Sequence, residues 1–464
     1  MYEKSVYDVA IIGSGIGGYV SAIRCSQLGM RVALIEKEKV GGTCLNKGCI
    51  PTAVLLSSIS LLEKIRRAKD YGITIRDYSI NLREIKARKE TIVNRLSNGI
   101  RYLLEKGGVD LFNGFGRIKS RNHAIVENDG DRRLIEAKNI IIATGSRPAC
   151  HASIPIDGNR IITSEEALNL EETPKNIVIV GGGVIGVEFA QIFQILGANV
   201  TILERKQNIL SGFDKEITTT IRRILERMGI KIFTNVSNEV AKSYDEKVHL
   251  TFYTNGSRME TFTDKVMVAI GRKPNIENIG LEKVGIQLKN GFINVDSRMK
   301  TNVPGIYAVG DVVGGKMFAH AAFAEGIVAA ENIAGIDSEI DQRFIPSCVY
   351  TIPEIACVGL PEDEAISLGY DISVGKFPYT ANGKALALGE REGFAKIIVE
   401  KKTNRILGAH IIGSNAADLI SEALVAIRLE YTSEELGRTI HPHPTLSEVI
   451  MEAALAASKE AIHI

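Results

Sequence analysis

The stretch VAIIGSGIGG, residues 9–18, is the most informative about the fold of this chain, and the stretch IVIVGGGVIG, residues 177–186, repeats its pattern. In both copies an apolar run of β type leads into a glycine-rich turn, a helix-like segment and a second apolar run that ends in glutamate. The two copies match at an offset of 168 residues. The repeat therefore predicts strand, glycine turn, helix and strand twice over, which is typical of an α/β fold.

The glycines and the glutamate of each copy have separate physical roles. The first glycine makes a tight turn, the second lets the backbone approach a pyrophosphate, and the third lets helix and strand pack closely. A carboxylate 23 residues after the first glycine can accept hydrogen bonds from both ribose hydroxyls. One such motif is weak, since glycine is common at turns, but two in the same context predict two dinucleotide sites. The residues are Gly13, Gly15, Gly18 and Glu36, then Gly181, Gly183, Gly186 and Glu204.

A pair of cysteines, Cys44 and Cys49, follows the first unit in GGTCLNKGCIP, residues 41–51. A straight helix would separate them by about 7.5 Å, more than a disulfide usually tolerates, but Gly48 permits a bend. A nearby helix N-terminus would favour the thiolate that attacks disulfides. The alternatives are two buried cysteines or half a zinc site, and no spaced partners accompany the pair. We interpret the pair as redox-active, expect no metal, and expect structural roles for Cys25, Cys150, Cys348 and Cys357.

The segment HPHPTLSE, residues 441–448, combines histidine with a carboxylate near the end of the chain. A dithiol must lose protons before it attacks a disulfide, which requires a base with a pKa near neutrality. Glu448 could orient the imidazole of His443. Such a repeat is more often a surface turn, but the cysteine pair supplies the need for a base.

Length and charge limit the remaining possibilities. A chain of 464 residues predicts two to four domains. Its 56 Lys and Arg residues balance 55 Asp and Glu residues, so we expect no nucleic acid partner. No secretory signal is visible, and polar side chains interrupt the apolar stretch 177–200. We therefore expect a cytoplasmic protein that does not interact with membranes.

Together these motifs resemble the pyridine-nucleotide disulfide oxidoreductase family, and the resemblance runs nearly from end to end. Beyond the two glycine turns it is carried by five segments, GGTCLNKGCIP at 41–51, IIATGS at 141–146, AIGRKPN at 269–275, TNVPGIYAVGDV at 301–312 and HPHPTLSE at 441–448.

The resemblance implies two Rossmann-like dinucleotide-binding domains plus a C-terminal α+β dimerisation domain. It divides the chain into an FAD-binding part (1–147), an NAD-binding domain (148–271), a second FAD-binding part (272–340) and a dimer interface domain (341–464). The cofactors would be FAD and NAD. The cofactor-binding residues that it implies are Gly13, Gly15, Gly18, Glu36, Gly42, Thr43, Thr144, Gly145, Asp311, Gly181, Gly183, Gly186, Glu188, Glu204 and Gly271.

The activity that the resemblance implies is oxidation of dihydrolipoamide to lipoamide with reduction of NAD+. Cys44 would exchange with the substrate and Cys49 would lie against the flavin. His443 and Glu448 would act on the disulfide of the other subunit of a homodimer. The substrate would be carried by a lipoyl-bearing protein, within a 2-oxoacid dehydrogenase or glycine cleavage complex.

One position departs from the family pattern. The family usually has lysine where this chain has Ala53, and that lysine normally pairs with a glutamate matching Glu188. Because this lysine is absent, one alternative interpretation is that the protein is a flavoprotein of low activity. A second alternative is a glutathione reductase-like enzyme, because Arg205 follows Glu204 and could attract the 2′-phosphate of NADP.

Overall fold

The computed structural model describes residues 6–244 and 246–464. The strands in these residues are β1 (Tyr7–Ile12), β2 (Val32–Glu36), β3 (Asp110–Asn113), β4 (Phe115–Ser120), β5 (His123–Asn128), β6 (Asp131–Ile142), β7 (Ser146–Pro148), β8 (Ile161–Ile162), β9 (Asn176–Val180), β10 (Asn199–Leu203), β11 (Lys231–Phe233), β12 (Ser237–Ser243), β13 (Val248–Thr254), β14 (Ser257–Thr263), β15 (Lys265–Val268), β16 (Arg272–Pro274), β17 (Leu288–Lys289), β18 (Phe292–Ile293), β19 (Ile306–Ala308), β20 (Ser347–Val349), β21 (Glu354–Gly359), β22 (Ile372–Pro378), β23 (Phe394–Glu400) and β24 (Ile406–Gly413).

The helices lie between and after these strands. They are α1 (Ile16–Gln27), α2 (Gly42–Lys47), α3 (Cys49–Arg66), α4 (Leu82–Lys106), α5 (Ser164–Ala167), α6 (Val184–Ile195), α7 (Lys215–Arg227), α8 (Leu281–Val284), α9 (Ala319–Ile333), α10 (Glu362–Ser367), α11 (Gly383–Ala387), α12 (Ala416–Arg428), α13 (Ser433–Arg438) and α14 (Glu448–Ala457).

The first glycine turn belongs to a sheet with strand order β3-β2-β1-β6-β5-β4, in which β19 also pairs with β6. Strands β3, β2, β1, β6 and β19 are mutually parallel, whereas β4, β5 and β6 form an antiparallel meander. The apolar runs of β1 and β2 are buried because α1, α4 and α9 cover one face of the parallel part. The chain leaves β1 toward β2 and later returns on its other side to β6, which opens a crevice at the end of β1.

The second glycine turn belongs to a parallel sheet with strand order β11-β10-β9-β15-β8. Helices α6 and α7 pack on one face of this sheet. The antiparallel sheet β12-β13-β14 packs on the other face. Strand β9 lies between β10 and β15, so the second turn also stands where the strand order reverses.

The C-terminal part is an antiparallel sheet with strand order β20-β21-β24-β23-β22, covered by α12 and α14. A buried lysine, Lys396 of β23, attaches this sheet to the second parallel unit. Its ammonium lies 3.0 Å from the carboxylate of Asp214, which caps the N-terminus of α7, and it also pairs with Glu362 of α10. The predicted fold class, two Rossmann-like units and a C-terminal α+β domain, is confirmed, while the exact domain boundaries stay predictions.

One stretch, Gly42–Arg66, is long and apolar enough to cross a membrane, with a mean hydropathy of 1.4. In the structure it forms α2 and α3, which are separated at Gly48. Ile59 and Leu62 of α3 are buried against Ile192 and Ile195 of α6. The apolar character of α3 is therefore used in packing against the second parallel unit.

Candidate active site

A single large cleft joins the two glycine turns to the cysteine pair. Its volume is about 1240 Å³. The first turn contributes Gly15 and the second contributes Gly183, while Cys44 and Cys49 lie in the same lining. The cleft thus brings both predicted dinucleotide sites and the predicted redox pair into one continuous space.

The two glycine turns have nearly the same backbone geometry. Gly13 has a φ of +101° and Gly181 a φ of +112°, a region that favours glycine. The amide of Gly13 donates to the carbonyl of Ile35 at 2.8 Å, and that of Gly181 donates to the carbonyl of Leu203 at 2.8 Å. The two copies of the sequence repeat therefore share the same backbone conformation and the same backbone hydrogen bond.

The third glycine of each turn is required by close packing. A Cβ atom on Gly18 would lie 1.9 Å from the carbonyl oxygen of Gly13, and one on Gly186 would lie 1.9 Å from that of Gly181. Such a contact is far inside van der Waals distance, so only glycine fits here. The third glycine therefore lets each helix pack closely on its own turn, while its part in cofactor binding stays a prediction.

The second glycine of each turn faces open space. A Cβ atom on Gly15 or Gly183 would meet no atom within 4 Å. Both residues stand at the N-termini of helices, α1 and α6, without a side-chain cap. Each helix start therefore presents free backbone amides toward the cleft, which suits the negative charge of a pyrophosphate.

The two glutamates close the turns in the same way. Glu36 accepts from the amide of Ser14 at 2.8 Å, and Glu204 accepts from the amide of Gly182 at 2.6 Å. Glu204 lines the cleft, whereas Glu36 is only 8% exposed. Carboxylates held at these strand ends are placed to accept from ribose hydroxyls.

Gly48 separates the helices that carry the two cysteines. Cys44 lies within α2, and Cys49 is the first residue of α3. Both are free thiols, and the interaction with the Cys44 thiol is the main reason why the pKa of Cys49 is lowered. The same interaction, with burial, raises the pKa of Cys44. Cys49 is therefore the thiol that ionises more readily.

A buried carboxylate, Glu188 of α6, lies in the wall of the cleft that also contains Ala53. Its Oε1 accepts from the amide of Tyr350 at 2.9 Å. In the described part of the chain no Lys or Arg forms an ion pair with it. Burial raises the pKa of Glu188 to about 7, and the bond from Tyr350 offsets only part of that rise.

The histidine and carboxylate of the C-terminal segment form a hydrogen-bonded pair. Nδ1 of His443 lies 2.8 Å from Oε1 of Glu448, and the amide of Thr445 donates to Oε2 at 2.8 Å. Burial alone would raise the pKa of Glu448, but these two bonds outweigh it and lower the pKa. An ionised Glu448 only accepts, so the proton lies on Nδ1 and leaves Nε2 as the free base.

The His443 side chain is 78% exposed, and neither it nor Glu448 belongs to the cleft lining formed by the described residues of its own chain. The structure therefore brings the cysteines together with the nucleotide turns, but it does not bring the predicted base to them within one chain.

The other predicted site residues fall into two groups. Those that line the cleft are Thr43, Gly145, Gly271 and Asp311. Gly42 and Thr144 lie outside the lining that the described residues form. Thr144 donates from its hydroxyl to the carbonyl of Asn275 at 2.7 Å, which ties the IIATGS and AIGRKPN segments together.

A polar network beside Asp311 was not assigned from the sequence. Arg272 donates to the hydroxyl of Ser146 at 2.7 Å, and that hydroxyl donates to Asp311. Burial raises the pKa of Asp311, although Ser146 and Arg272 reduce the rise. Next to it, Glu325 of α9 accepts from the amide of Gly310 at 2.7 Å, and burial raises the pKa of Glu325 to about 7. Ser146 lies in the segment IIATGS and Arg272 in the segment AIGRKPN. Their place in these family segments was the sequence feature that could have marked them as site residues.

Comparison with known proteins identifies the family. Residues 7–326 match the family described as pyridine nucleotide-disulphide oxidoreductase, and residues 345–454 match its dimerisation domain. The chain belongs to the pyridine nucleotide-disulphide oxidoreductase family. The C-terminal antiparallel sheet, from β20 to β24, lies within the match to the family's dimerisation domain.

Several members of this family with assigned names are similar over their whole length. A dihydrolipoyl dehydrogenase of Bacillus subtilis (strain 168) is 43% identical, over 98% of this chain and 99% of its own. A dihydrolipoyl dehydrogenase of Thermus scotoductus is 42% identical, over 99% of both chains.

Solved structures of this family share the fold. LpdA from Mycobacterium tuberculosis is 29% identical, with a TM-score of 0.90, over 96% of this chain and 98% of its own. The HOCl-induced flavoprotein disulfide reductase RclA from Escherichia coli is 28% identical, with a TM-score of 0.86, over 98% of this chain and 100% of its own.

Proposed function

We propose that this protein oxidises dihydrolipoamide to lipoamide and reduces NAD+, with FAD as its bound cofactor. The observation that carries the proposal is the cleft in which Cys44 and Cys49 lie between two dinucleotide-binding turns. Relatives that are about as long as this chain and are named dihydrolipoyl dehydrogenase support the choice of substrate.

The two cofactors occupy separate turns. The first turn and Asp311 hold FAD, and the second turn with Glu204 holds NAD. FAD, when bound, supplies the electron chemistry that links the dithiol to the nicotinamide. The chain itself binds, orients and transfers protons.

The substrate thiol is activated by His443 of the partner subunit. Its Nε2 is free to accept a proton, because Nδ1 is bonded to Glu448. The resulting thiolate attacks Cys44, forms a mixed disulfide and breaks the bond between Cys44 and Cys49. The second substrate thiol then displaces Cys44, which releases the cyclic disulfide and leaves both cysteines reduced.

The order of attack follows from the two thiol environments. When Cys44 is attacked, Cys49 must leave as a thiolate. Cys49 is the first residue of α3, and a helix N-terminus stabilises a thiolate, so Cys49 is the better leaving group of the two.

A homodimer completes the site in this proposal. The dimerisation domain supports association of two copies. Because His443 and the cysteines lie in separate regions of one chain, a second copy would bring the base of one subunit to the cysteines of the other. The lipoyl group is presented on a protein of a 2-oxoacid dehydrogenase or glycine cleavage complex.

The decisive experiment is a pair of turnover assays. We expect reduction of NAD+ by dihydrolipoamide and no comparable oxidation of NADPH by glutathione disulfide. Cys44→Ser and Cys49→Ser should each abolish turnover while the protein keeps its FAD, and Cys25→Ser should leave turnover unchanged. Activity with glutathione disulfide and NADPH, but not with dihydrolipoamide, would overturn the proposal.

A further inference from the structure

A second carboxylate, Glu239 of β12, lines the cleft beside the predicted ribose ligand Glu204. Glu239 is only 3% exposed. Its Oε2 is shielded from solvent and has no hydrogen-bond partner. A buried carboxylate oxygen without a donor costs free energy, so this atom calls for an explanation.

The backbone turns this side chain away from solvent, toward the inner face of β12. Strand β12 contains a bulge between Ser237 and Val240, and Asn238 within it has a φ of +54°. Glu239 thus faces the same side as Ala241, which is packed in the core between the two sheets of this unit. Bulges commonly re-aim a side chain next to a binding site.

The segment before β12 is tied to the strand end that carries Glu204. The amide of Val236 donates to the carbonyl of Glu204 at 3.0 Å, and the amide of Asn235 donates to that of Lys206 at 3.1 Å. Arg205 lies between them, with its guanidinium 4.0 Å from Oε2 of Glu239, beyond hydrogen-bond distance. Glu239 therefore lies close to the segment 204–206 that follows strand β10.

We expect the base of the dinucleotide beside this segment, because the pyrophosphate is held at the helix start and the ribose at the strand end. Adenine has one hydrogen-bond donor on its edge, the 6-amino group, and its ring nitrogens only accept. An ionised carboxylate only accepts. The single complementary contact is therefore from the amino group to Glu239.

We propose that Glu239 recognises the 6-amino group of the adenine of NAD and so sets the preference for this base. The inference rests on the proposed use of NAD. Arg205, whose side chain is 70% exposed, moves away from Glu239 as the base enters and can stack on the purine ring. The unpartnered oxygen thereby gains its donor when the dinucleotide binds.

The test compares two dinucleotides by calorimetry on the FAD-loaded protein, namely NAD+ and its analogue with purine in place of adenine, which lacks only the amino group. One additional hydrogen bond predicts roughly tenfold tighter binding of NAD+. Glu239→Met should bind both dinucleotides equally. Glu239→Gln, which keeps an acceptor oxygen, should retain most of the preference.

Glu246→Gln is the matched control, because it removes the same charge from an exposed position between β12 and β13. It should keep the tenfold preference. Equal binding of both dinucleotides by the unchanged protein, or an unchanged preference in Glu239→Met, would overturn the inference. The measurement needs no dithiol, so failure of dihydrolipoamide turnover alone would count against the proposed activity and not against the role of Glu239. No binding of NAD+ at all would refute both.

Discussion

Ala53 stands in the cleft with a buried carboxylate, Glu188, that has no cationic partner among the described residues. A lysine at this position would place a positive charge near the flavin and oppose the charge of Glu188. Without it, negative charge on the reduced flavin and on the thiolate of Cys49 is less stabilised. We therefore expect the missing cation to slow reduction by the dithiol.

Ala53→Lys should raise the rate of reduction by dihydrolipoamide by roughly tenfold, since one pKa unit of charge stabilisation corresponds to that factor. It should also strengthen the long-wavelength absorption band of the partly reduced enzyme, which arises from charge transfer between the thiolate of Cys49 and the flavin. The affinity for NAD should change little. Stopped-flow absorbance measures both. Ala53→Met is the control, because it adds a long side chain at this position without a positive charge. If the unchanged protein already reacts as fast as Ala53→Lys, the charge is dispensable and our account of Glu188 is wrong.

The raised pKa of Glu188 predicts a dependence of stability on pH. The ordinary pKa of a glutamate is 4.5, and burial raises that of Glu188 to about 7. Between these values the folded protein keeps a proton that the unfolded chain releases, so folding stability falls as pH rises through this window and stays level above it. We expect the Tm of the protein relative to that of Glu188→Gln to fall from about pH 5 to about pH 7. A difference in Tm that is flat across this range would contradict the prediction.

Glu204 should select NAD over NADP. Its carboxylate is fixed by the amides of Gly182 and Lys206, and it would repel a 2′-phosphate. Replacing Glu204 by Ser should raise the ratio of kcat/KM for NADP to that for NAD by roughly tenfold or more, because the carboxylate that repels the 2′-phosphate is then gone and the exposed guanidinium of Arg205 remains next to the site. Glu246→Gln serves as the control for loss of charge. Equal kcat/KM for both dinucleotides before any substitution would refute this role.

At the scale of elements, the glycine turns could be predicted from the sequence because their constraints are local. The positive φ of Gly13 and the contact that excludes a side chain at Gly18 both arise within one strand, turn and helix. The break at Gly48, which makes Cys49 the first residue of α3, is local in the same sense.

The contacts that the sequence did not predict are those between distant segments. The network of Ser146, Arg272 and Asp311 joins three stretches that are distant in sequence and meet where β7 pairs with β16. Glu239 lies next to a bulge in β12, and the pattern of polar and apolar residues along this strand does not reveal that bulge. Such positions depend on register and chain crossover, which residue types alone do not specify.

The third glycines give a paired test of the two units. Gly186→Ala should weaken NAD+ binding by at least about tenfold while the protein keeps its FAD, because the added methyl group separates α6 from its turn. Gly18→Ala should cause loss of FAD. Calorimetry and the visible flavin spectrum measure the two effects. Gly99→Ala in α4, where a Cβ meets nothing within 4 Å, is the control and should change neither. Loss of FAD in Gly186→Ala would mean that the turns do not serve separate cofactors.

At the scale of the whole molecule, the cysteines and the proposed base occupy different regions of one chain. Cys44 and Cys49 line the cleft, whereas the imidazole of His443 is 78% exposed and outside the lining that the described residues form. Glu448 begins α14, which is packed on the C-terminal sheet, so His443 is anchored to the family's dimerisation domain. An exposed, oriented base on such a domain is suited to act on a second copy of the chain.

Mixing two inactive variants tests this arrangement. Cys49→Ser lacks a redox cysteine and His443→Ala lacks the base, so each homodimer should be inactive. In a hybrid dimer with shared sites, one site carries both defects and the other carries neither. Random exchange of equal amounts makes half of the dimers hybrids, so activity should return to about a quarter of that of the unchanged protein. Mass spectrometry of the intact dimers verifies the exchange. If each site lay within a single chain, every chain would still carry one defect. Hybrid dimers without recovered activity would then show that His443 serves its own cysteines or none.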